Sequence, residues 1–293
     1  LFTRDIGAAI PGAFIVCHAA TKARQRETLL MRYVLLKHPV FANTTFLDVR
    51  DFASEVFWYD TPQGGPVSIE GGDIIVLDKK TLMIGTGERT SEAAFLLLLA
   101  GLLESGSPIR TVIRVKLPPE RASMHLDTVF TEISKEEFMI YSGVMARRAS
   151  FTIYWHPYEK EKDLEGPMNF DEAFRKAGFH HMQLVECGHK NLLFQTREQW
   201  TDGANLFAIA PGLLLAYDRN LETVNALRAQ RPPYEYLEAT NPEHMKEIKR
   251  IADQVRKGRG IDRRVVIGLP GSELSRARGG PRCMTMPLER DAV

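Results

Sequence analysis

Asp5, Glu70, Asp73, His125, Asp127, Asp202, Asn205 and Cys283 share one position in the sequence: each stands at or just before an apolar run of strand-like length. Their chemistries complement one another. Carboxylates accept paired hydrogen bonds from cationic groups, a histidine gives and takes protons near neutral pH, and a cysteine thiolate bonds covalently to an electrophilic carbon. Singly, each has a plainer reading. A cysteine is more often a small buried hydrophobe, a histidine more often a hydrogen-bonded core or surface residue, and Glu70-Gly71-Gly72-Asp73 would serve as a tight bend ahead of a strand. What recurs is the position, and His125 has Asp127 two residues later on the same face of the expected strand.

The elements that would carry these residues form a repeated strand, tight turn, strand, helix pattern. In the first copy Phe2-Thr3-Arg4-Asp5 leads into Ala8-Ala9-Ile10, a Pro11-Gly12 turn, Ala13 to His18, and a helix from Lys22 to Lys37. Leu29, Leu30, Tyr33, Val34 and Lys37 keep helical spacing there, and Pro39 follows. In the second, Glu70 to Asp73 precedes Ile74 to Leu77, a Lys79-Lys80 turn, Leu82 to Ile84, and a helix from Ser91 to Glu104, capped by Thr90 or Ser91 and closed by Gly106. Another copy runs from Asn205 to Ala210 through Pro211-Gly212 to Leu213 and Tyr217, then, with Asn220 as cap, a helix from Leu221 to Gln230. A further copy, Leu126 to Ile133, a turn at 134–137 and Phe138 to Tyr141, has no evident helix. Cys283, ahead of Met284, Met286 and Leu288, reads as the opening of a last unit. If rotation about a common axis relates the units, equivalent strand ends face that axis and the polar side chains converge on one central site.

With 38 basic against 37 acidic side chains, the formal charge of +1 gives no global attraction to nucleic acid or to a membrane surface. The longest apolar run, Ala93 to Leu103, has 11 residues, short of the ~20 that cross a bilayer. Hydrophobic residues fill 44% of positions, enough for at least one packed core. Cys17, Cys187 and Cys283 are far apart and form no CxxC pair, so neither a disulfide framework nor a structural zinc site is indicated, which fits a reducing, cytoplasmic compartment. Segment 231–264 reads as an added helical insertion. Asn241 caps it, Pro242 takes its first position, Met245, Ile248, Ile251, Ala252 and Val255 keep helical spacing, and Gly258 closes it.

Phe2-Thr3-Arg4-Asp5, Glu70-Gly71-Gly72-Asp73, Glu88-Arg89-Thr90-Ser91, Met124-His125-Leu126-Asp127-Thr128 and Arg197-Glu198-Gln199-Trp200 occur in that order. The tail holds Gly271-Ser272-Glu273-Leu274, Arg276, Arg278-Gly279-Gly280 and Cys283-Met284-Thr285-Met286-Pro287. In these motifs the chain resembles the arginine deiminases from residue 1 to about 291, less closely at about 146–190 and 231–265. The resemblance implies a pentein-like α/β fold, a pseudo-symmetric propeller of strand-turn-strand-helix repeats forming one catalytic domain over residues 1–293. It implies hydrolysis of L-arginine to L-citrulline and ammonia through an amidino thioether on cysteine, without metal or organic cofactor, and leaves a homo-oligomer open.

On the same resemblance Cys283 is the nucleophile, His125 the acid and base, and Asp5 and Asp127 hold the guanidinium. Glu70 sits against both the guanidino group and His125, and Asp73 supports the Gly71-Gly72 turn. Arg24, Arg89 and Arg278 match positions that bind the substrate carboxylate, and Phe2 one that packs on the methylene stem. Carboxylates near Cys283 oppose its ionisation, and with no fixed cation evident at that end, the substrate's own charge is expected to promote it. Family members begin well ahead of the Phe2 motif, so the resemblance also implies that an N-terminal propeller unit and helical insertion are missing here, leaving a sheet edge exposed after Cys283. A relative acting on agmatine or a methylated arginine, and a non-catalytic binding module, are the alternatives.

Overall fold

A computed structural model describes residues 2–52, 67–155 and 164–288. The chain forms two compact units, one from residues 1–126, 148–179 and 285–293, the other from 127–147 and 180–284. In the first unit β1 (Gly7–Ile10) turns into antiparallel β2 (Ala13–Val16), α1 (Gln25–Lys37) crosses over, and β3 (Phe46–Asp48) pairs parallel to β2. The same connection recurs in β4 (Ile74–Val76), β5 (Thr81–Thr86), α2 (Glu92–Glu104) and β6 (Thr111–Lys116). The second unit opens with the hairpin of β7 (Phe130–Ser134) and β8 (Glu137–Ile140) and the short helix α3 (Ser142–Met145). The chain then returns to the first unit, where β9 (Ser150–Trp155) pairs with β6, β10 (Leu164–Met168) pairs with β9, and α4 (Phe170–Lys176) follows. Back in the second unit, β11 (Gln183–Glu186) pairs parallel to β8. After α5 (Leu192–Trp200) come β12 (Phe207–Ala210), β13 (Leu213–Tyr217), α6 (Leu221–Arg228), β14 (Glu235–Glu238), α7 (Pro242–Arg256) and β15 (Val265–Leu269), with β15 parallel to both β13 and β14.

Among the described residues, each of the four sheets therefore holds an antiparallel hairpin whose second strand pairs in parallel with a strand beyond a helical crossover. The copy without an evident helix reaches its parallel strand β11 only after α3, β9, β10 and α4, and α4 belongs to the first unit, where its Phe170 packs on Phe151 of β9. No helix among the described residues is long and apolar enough to cross a membrane.

Local chemistry explains most boundaries. Ser91 Oγ accepts from the Ala94 N–H at the start of α2, and Asn241 Oδ1 accepts from the N–H groups of Glu243 and His244 at the start of α7. Pro242 occupies the first turn of α7, where its missing N–H costs nothing. Asn220 does not cap α6. Its amide binds Thr201 instead, and the Glu222 and Thr223 N–H groups donate to the buried Glu198 carboxylate.

The helix expected over 22–37 forms, but with a different face inward. Thr28, Met31 and Leu35 are buried, the last two packing with Phe14, Val16 and Phe41, while Leu29, Leu30, Tyr33 and Leu36 are each more than 60% exposed. By contrast α2 is apolar nearly all round because it is buried nearly all round: Phe95, Leu98 and Leu102 pack among Ile15, Leu47, Leu82 and Val112. Segment 231–264 contains the expected helix and also strand β14. Ile251 of α7 packs, with Ile248 and Val255 beside it, against Leu237, Val265 and Ile267. The alternation after Cys283 does not become a strand within residues 284–288; Met286 packs instead against the cluster of Ala9, Phe14 and Val16.

Candidate active site

In the first unit, Thr3–Ile6 and Gly71–Asp73 each make one turn of 3-10 helix at the entrance of a hairpin, and these turns carry Asp5 and Asp73, with Glu70 one residue ahead of the second. The Gly71-Gly72 pair lets the segments approach. A Cβ on Gly71 would overlap the carbonyl of Arg4, and one on Gly72 would lie 3.0 Å from both Asp5 Oδ1 and His125 Nδ1. His125 Nε2 lies 2.6 Å from Glu70 Oε2, and its Nδ1 lies 3.8 Å from Asp5 Oδ1, with all three side chains buried. Glu70 is itself held: Ala20 N–H donates to Oε1 at 2.9 Å, and the Glu70 N–H donates to Thr90 Oγ1. Asp73 accepts from the Thr90 hydroxyl at 2.6 Å and from the Leu126 N–H at 2.8 Å, so it links the Glu70 turn to the segment that bears His125.

Burial by itself would push the His125 pKa down, but Asp5, the hydrogen bond to Glu70, and Asp73 raise it to about 10, so the ring is an imidazolium at neutral pH. Burial works in the opposite direction on Glu70, yet its bond to His125 and the Ala20 N–H hold it below the usual carboxylate range. Asp5 is raised, chiefly by burial. Desolvation lifts Asp73 to about 7. Asp5, Glu70 and His125 offer ligand atoms within 4.8 Å of one another, a spacing that also suits a metal ion; here the Nε2 of His125 is committed to Glu70.

In the second unit Asp127 and Cys283 come together across 156 positions of sequence, with Sγ 3.9 and 4.0 Å from the two carboxylate oxygens. Asn205 joins their backbones. Its Nδ2 donates to the Asp127 carbonyl at 2.9 Å, and its Oδ1 accepts from the Cys283 N–H at 3.1 Å. Arg282 Nη1 lies 2.6 Å from Asp127 Oδ2, both buried. The surroundings of Cys283 therefore do include a fixed cation, contrary to expectation; its adjacency to Cys283 was the available signal, but nothing in the sequence tells which way Arg282 points. Arg278 stacks over Trp200 with its Cζ 4.3 Å from the ring centre, and its Nε lies 3.9 Å from Asp202. Burial lifts Asp202 to about 7 despite Arg278.

Each of the three arginines expected at the substrate carboxylate has an acidic neighbour. Arg24 donates to Asp5 Oδ2 at 2.5 Å, to Glu27 and to the Phe2 carbonyl. Arg89 lies 3.8 Å from Glu70 Oε1, and Arg278 lies near Asp202. Cys17 and Cys187 are buried, and desolvation pushes both thiols up, away from nucleophilic use. Asn205→Ala leaves the Asp127 carbonyl and the Cys283 N–H without their partner, so urea denaturation is expected to show a loss of about 2–4 kcal/mol. An unchanged midpoint would mean that both groups find other partners.

Hairpins with a parallel third strand, entered through turns that bear acids, define a mixed α/β protein built of several sheets. Two solved structures share that fold. The ternary complex of AgrE with ornithine and NAD+ matches with a TM-score of 0.54 at 13% identity, covering 97% of this chain and 30% of that one. The product-bound N-terminal domain of ArgZ, an arginine dihydrolase of cyanobacteria, matches with a TM-score of 0.52 at 14% identity, covering 98% and 76%. The arginine deiminase family model matches residues 1–290, and the chain belongs to that family. The arginine deiminase of Bacillus cereus (strain B4264) is 34% identical over 298 residues, covering all of this chain and 62% of the relative. That of Listeria monocytogenes serotype 4a (strain HCC23) is 32% identical over 292 residues, covering 99% and 61%. The chain thus spans about three fifths of the length of the curated relatives it matches.

Proposed function

We propose that this chain carries the hydrolysis of L-arginine to L-citrulline and ammonia. The observation that carries the reading is His125, a buried imidazolium bonded to Glu70 and close to Asp5, in a member of the arginine deiminase family. A guanidinium is a planar cation with five N–H donors and no acceptor, and Asp5 and Asp127 are the carboxylates assigned to receive it. The Cys283 thiolate attacks the guanidino carbon; His125 protonates one nitrogen of the tetrahedral adduct, which leaves as ammonia. The amidino thioether that remains is attacked by water, with neutral His125 taking the proton. Collapse expels the thiolate and releases citrulline. Binding of the cationic substrate offsets the carboxylates near Cys283 and promotes its ionisation, with Arg282 as a resident cation acting in the same sense.

Phe2 is assigned to the methylene stem, and Arg24, Arg89 and Arg278 to the α-carboxylate. Arg89 lies 3.8 Å from Glu70, Arg278 lies 3.9 Å from Asp202, and Arg24 is bonded to Asp5. The shared connectivity of the four sheets supports reading them as blades of a pseudo-symmetric propeller in one catalytic domain. The test is to supply arginine, agmatine and an Nω-methylated arginine and to measure ureido product and released amine. Citrulline and ammonia in equal amounts from arginine are expected. Preference for another compound would reassign the substrate, and no product from any would make the chain a binding module.

A further inference from the structure

Beyond the residues that the reaction calls for, the first unit buries a second histidine–carboxylate pair. His18 Nε2 lies 2.6 Å from Asp48 Oδ1, with the two side chains 2% and 4% exposed. Asp48 Oδ1 also accepts from the Arg50 N–H at 3.1 Å, and its Oδ2 lies 3.0 Å from Arg32 Nη1 on α1. Burial would raise the Asp48 carboxyl, but the His18 bond, the Arg50 N–H and Arg32 hold it below the usual range. Such a pair is expensive to bury, and an apolar pair of equal volume would hold the sheet as well. The β2–β3 ladder does not need it, because its pairing ends at Val16 opposite Asp48, two residues before His18.

What His18 does touch is the approach to Glu70. Its N–H donates to the Ile69 carbonyl and its carbonyl accepts from the Ile69 N–H, both at 2.8 Å, which fixes the residue immediately before Glu70. Two positions further on, the Ala20 N–H donates to Glu70 Oε1 at 2.9 Å, while Glu70 Oε2 faces His125 Nε2 at 2.6 Å. Segment 18–20 therefore holds the backbone of Ile69, next to Glu70, and one carboxylate oxygen of Glu70 itself, and the His18 side chain is what pins that segment to the end of β3. We propose that His18 and Asp48 are positioning residues, which hold Glu70 in the orientation that orients and charges His125. The kinetic part of this inference rests on the arginine-hydrolysing reading of the site.

His18→Ala is expected to lower kcat about 10- to 100-fold with KM for arginine little changed, because misplacement by an ångström at a proton-transferring group costs this much. His18→Gln, which keeps a donor in reach of Asp48, should recover part of the loss. In a Glu70→Gln background the His18→Ala change should add almost nothing. Leu47→Ala, which opens a cavity beside Asp48, controls for destabilisation and should lower the melting temperature without the kcat loss. Equal kcat losses in His18→Ala and Leu47→Ala, or additivity with Glu70→Gln, would overturn the proposal. The downfield proton resonance of the His125–Glu70 bond reads the same contact without turnover: it should shift or broaden in His18→Ala and not in Leu47→Ala. If the wild type hydrolysed no arginine, the functional reading would fail, and the resonance would still decide for or against the brace.

Discussion

On the proposed arginine-hydrolysing reading, Cys283→Ala is expected to abolish turnover of arginine, with kcat reduced on the order of 10⁴-fold or more, while arginine is still bound. The reason lies in the electrophile. A guanidinium spreads its positive charge over three nitrogens, so water attacks its carbon poorly, and without the thiolate the acid, the base and the carboxylates have no adduct to act on. Acid quenching of the wild-type enzyme during turnover should leave the amidino mass on the peptide that contains Cys283, and the variant should carry none. Isothermal titration of the variant with arginine separates lost chemistry from lost binding. Turnover by Cys283→Ala at a tenth of the wild-type rate would sink the covalent route.

His125→Gln is the second large effect, with kcat expected to fall about 10²- to 10⁴-fold, the usual range for removal of a positioned acid–base group. It also changes how stability depends on pH. The imidazolium is raised above the ordinary ~6.5 to about 10 in the folded chain, so its contribution is complete below ~6.5 and is lost as pH rises through about 10. Asp73 has the opposite sign: its folded pKa of about 7 lies above the unfolded value, so its unfavourable contribution grows from ~4 and is complete above about 7. In the window from 7 to 10, the difference between wild type and His125→Gln belongs to the histidine together with Asp5 and Asp73, the carboxyls that its charge lowers. Denaturant midpoints across that window should fall more steeply with pH for the wild type than for the variant. Parallel curves would mean that Asp5, Glu70 and Asp73 do not hold the proton on His125.

Part of the chemistry of each unit was legible in the sequence. The lead-in positions of Asp5, Glu70, His125 and Asp127 follow from a repeat whose strands, turns and helix caps obey local rules, and Ser91 and Asn241 cap the helices assigned to them, whereas the strand expected after Cys283 does not form within residues 284–288. The face of α1 was not legible. Leu29, Leu30 and Tyr33 have the spacing of an inward stripe, but the neighbouring stripe of Thr28, Met31 and Leu35 is the one that meets the sheet. Periodicity says that a helix is two-sided; the shape of what it packs against chooses the side.

The sequence by itself determined the hairpins, the capped helices that follow them, and which chemical groups stand at the hairpin entrances, because caps, turns and hydrophobic spacing act over a few residues, but not the parallel strands β3, β6, β11 and β15 beyond the crossovers. Only the tertiary structure decided which partner each charge meets. Arg282 is 155 positions from Asp127, His125 is 55 from Glu70, and His18 is 30 from Asp48, so no local rule links them. Hydrogen bonds need partners within ~3 Å. A chain brings such distant groups together only by packing its sheets and helices, and buried polar groups must then be paired with whatever that packing has placed beside them.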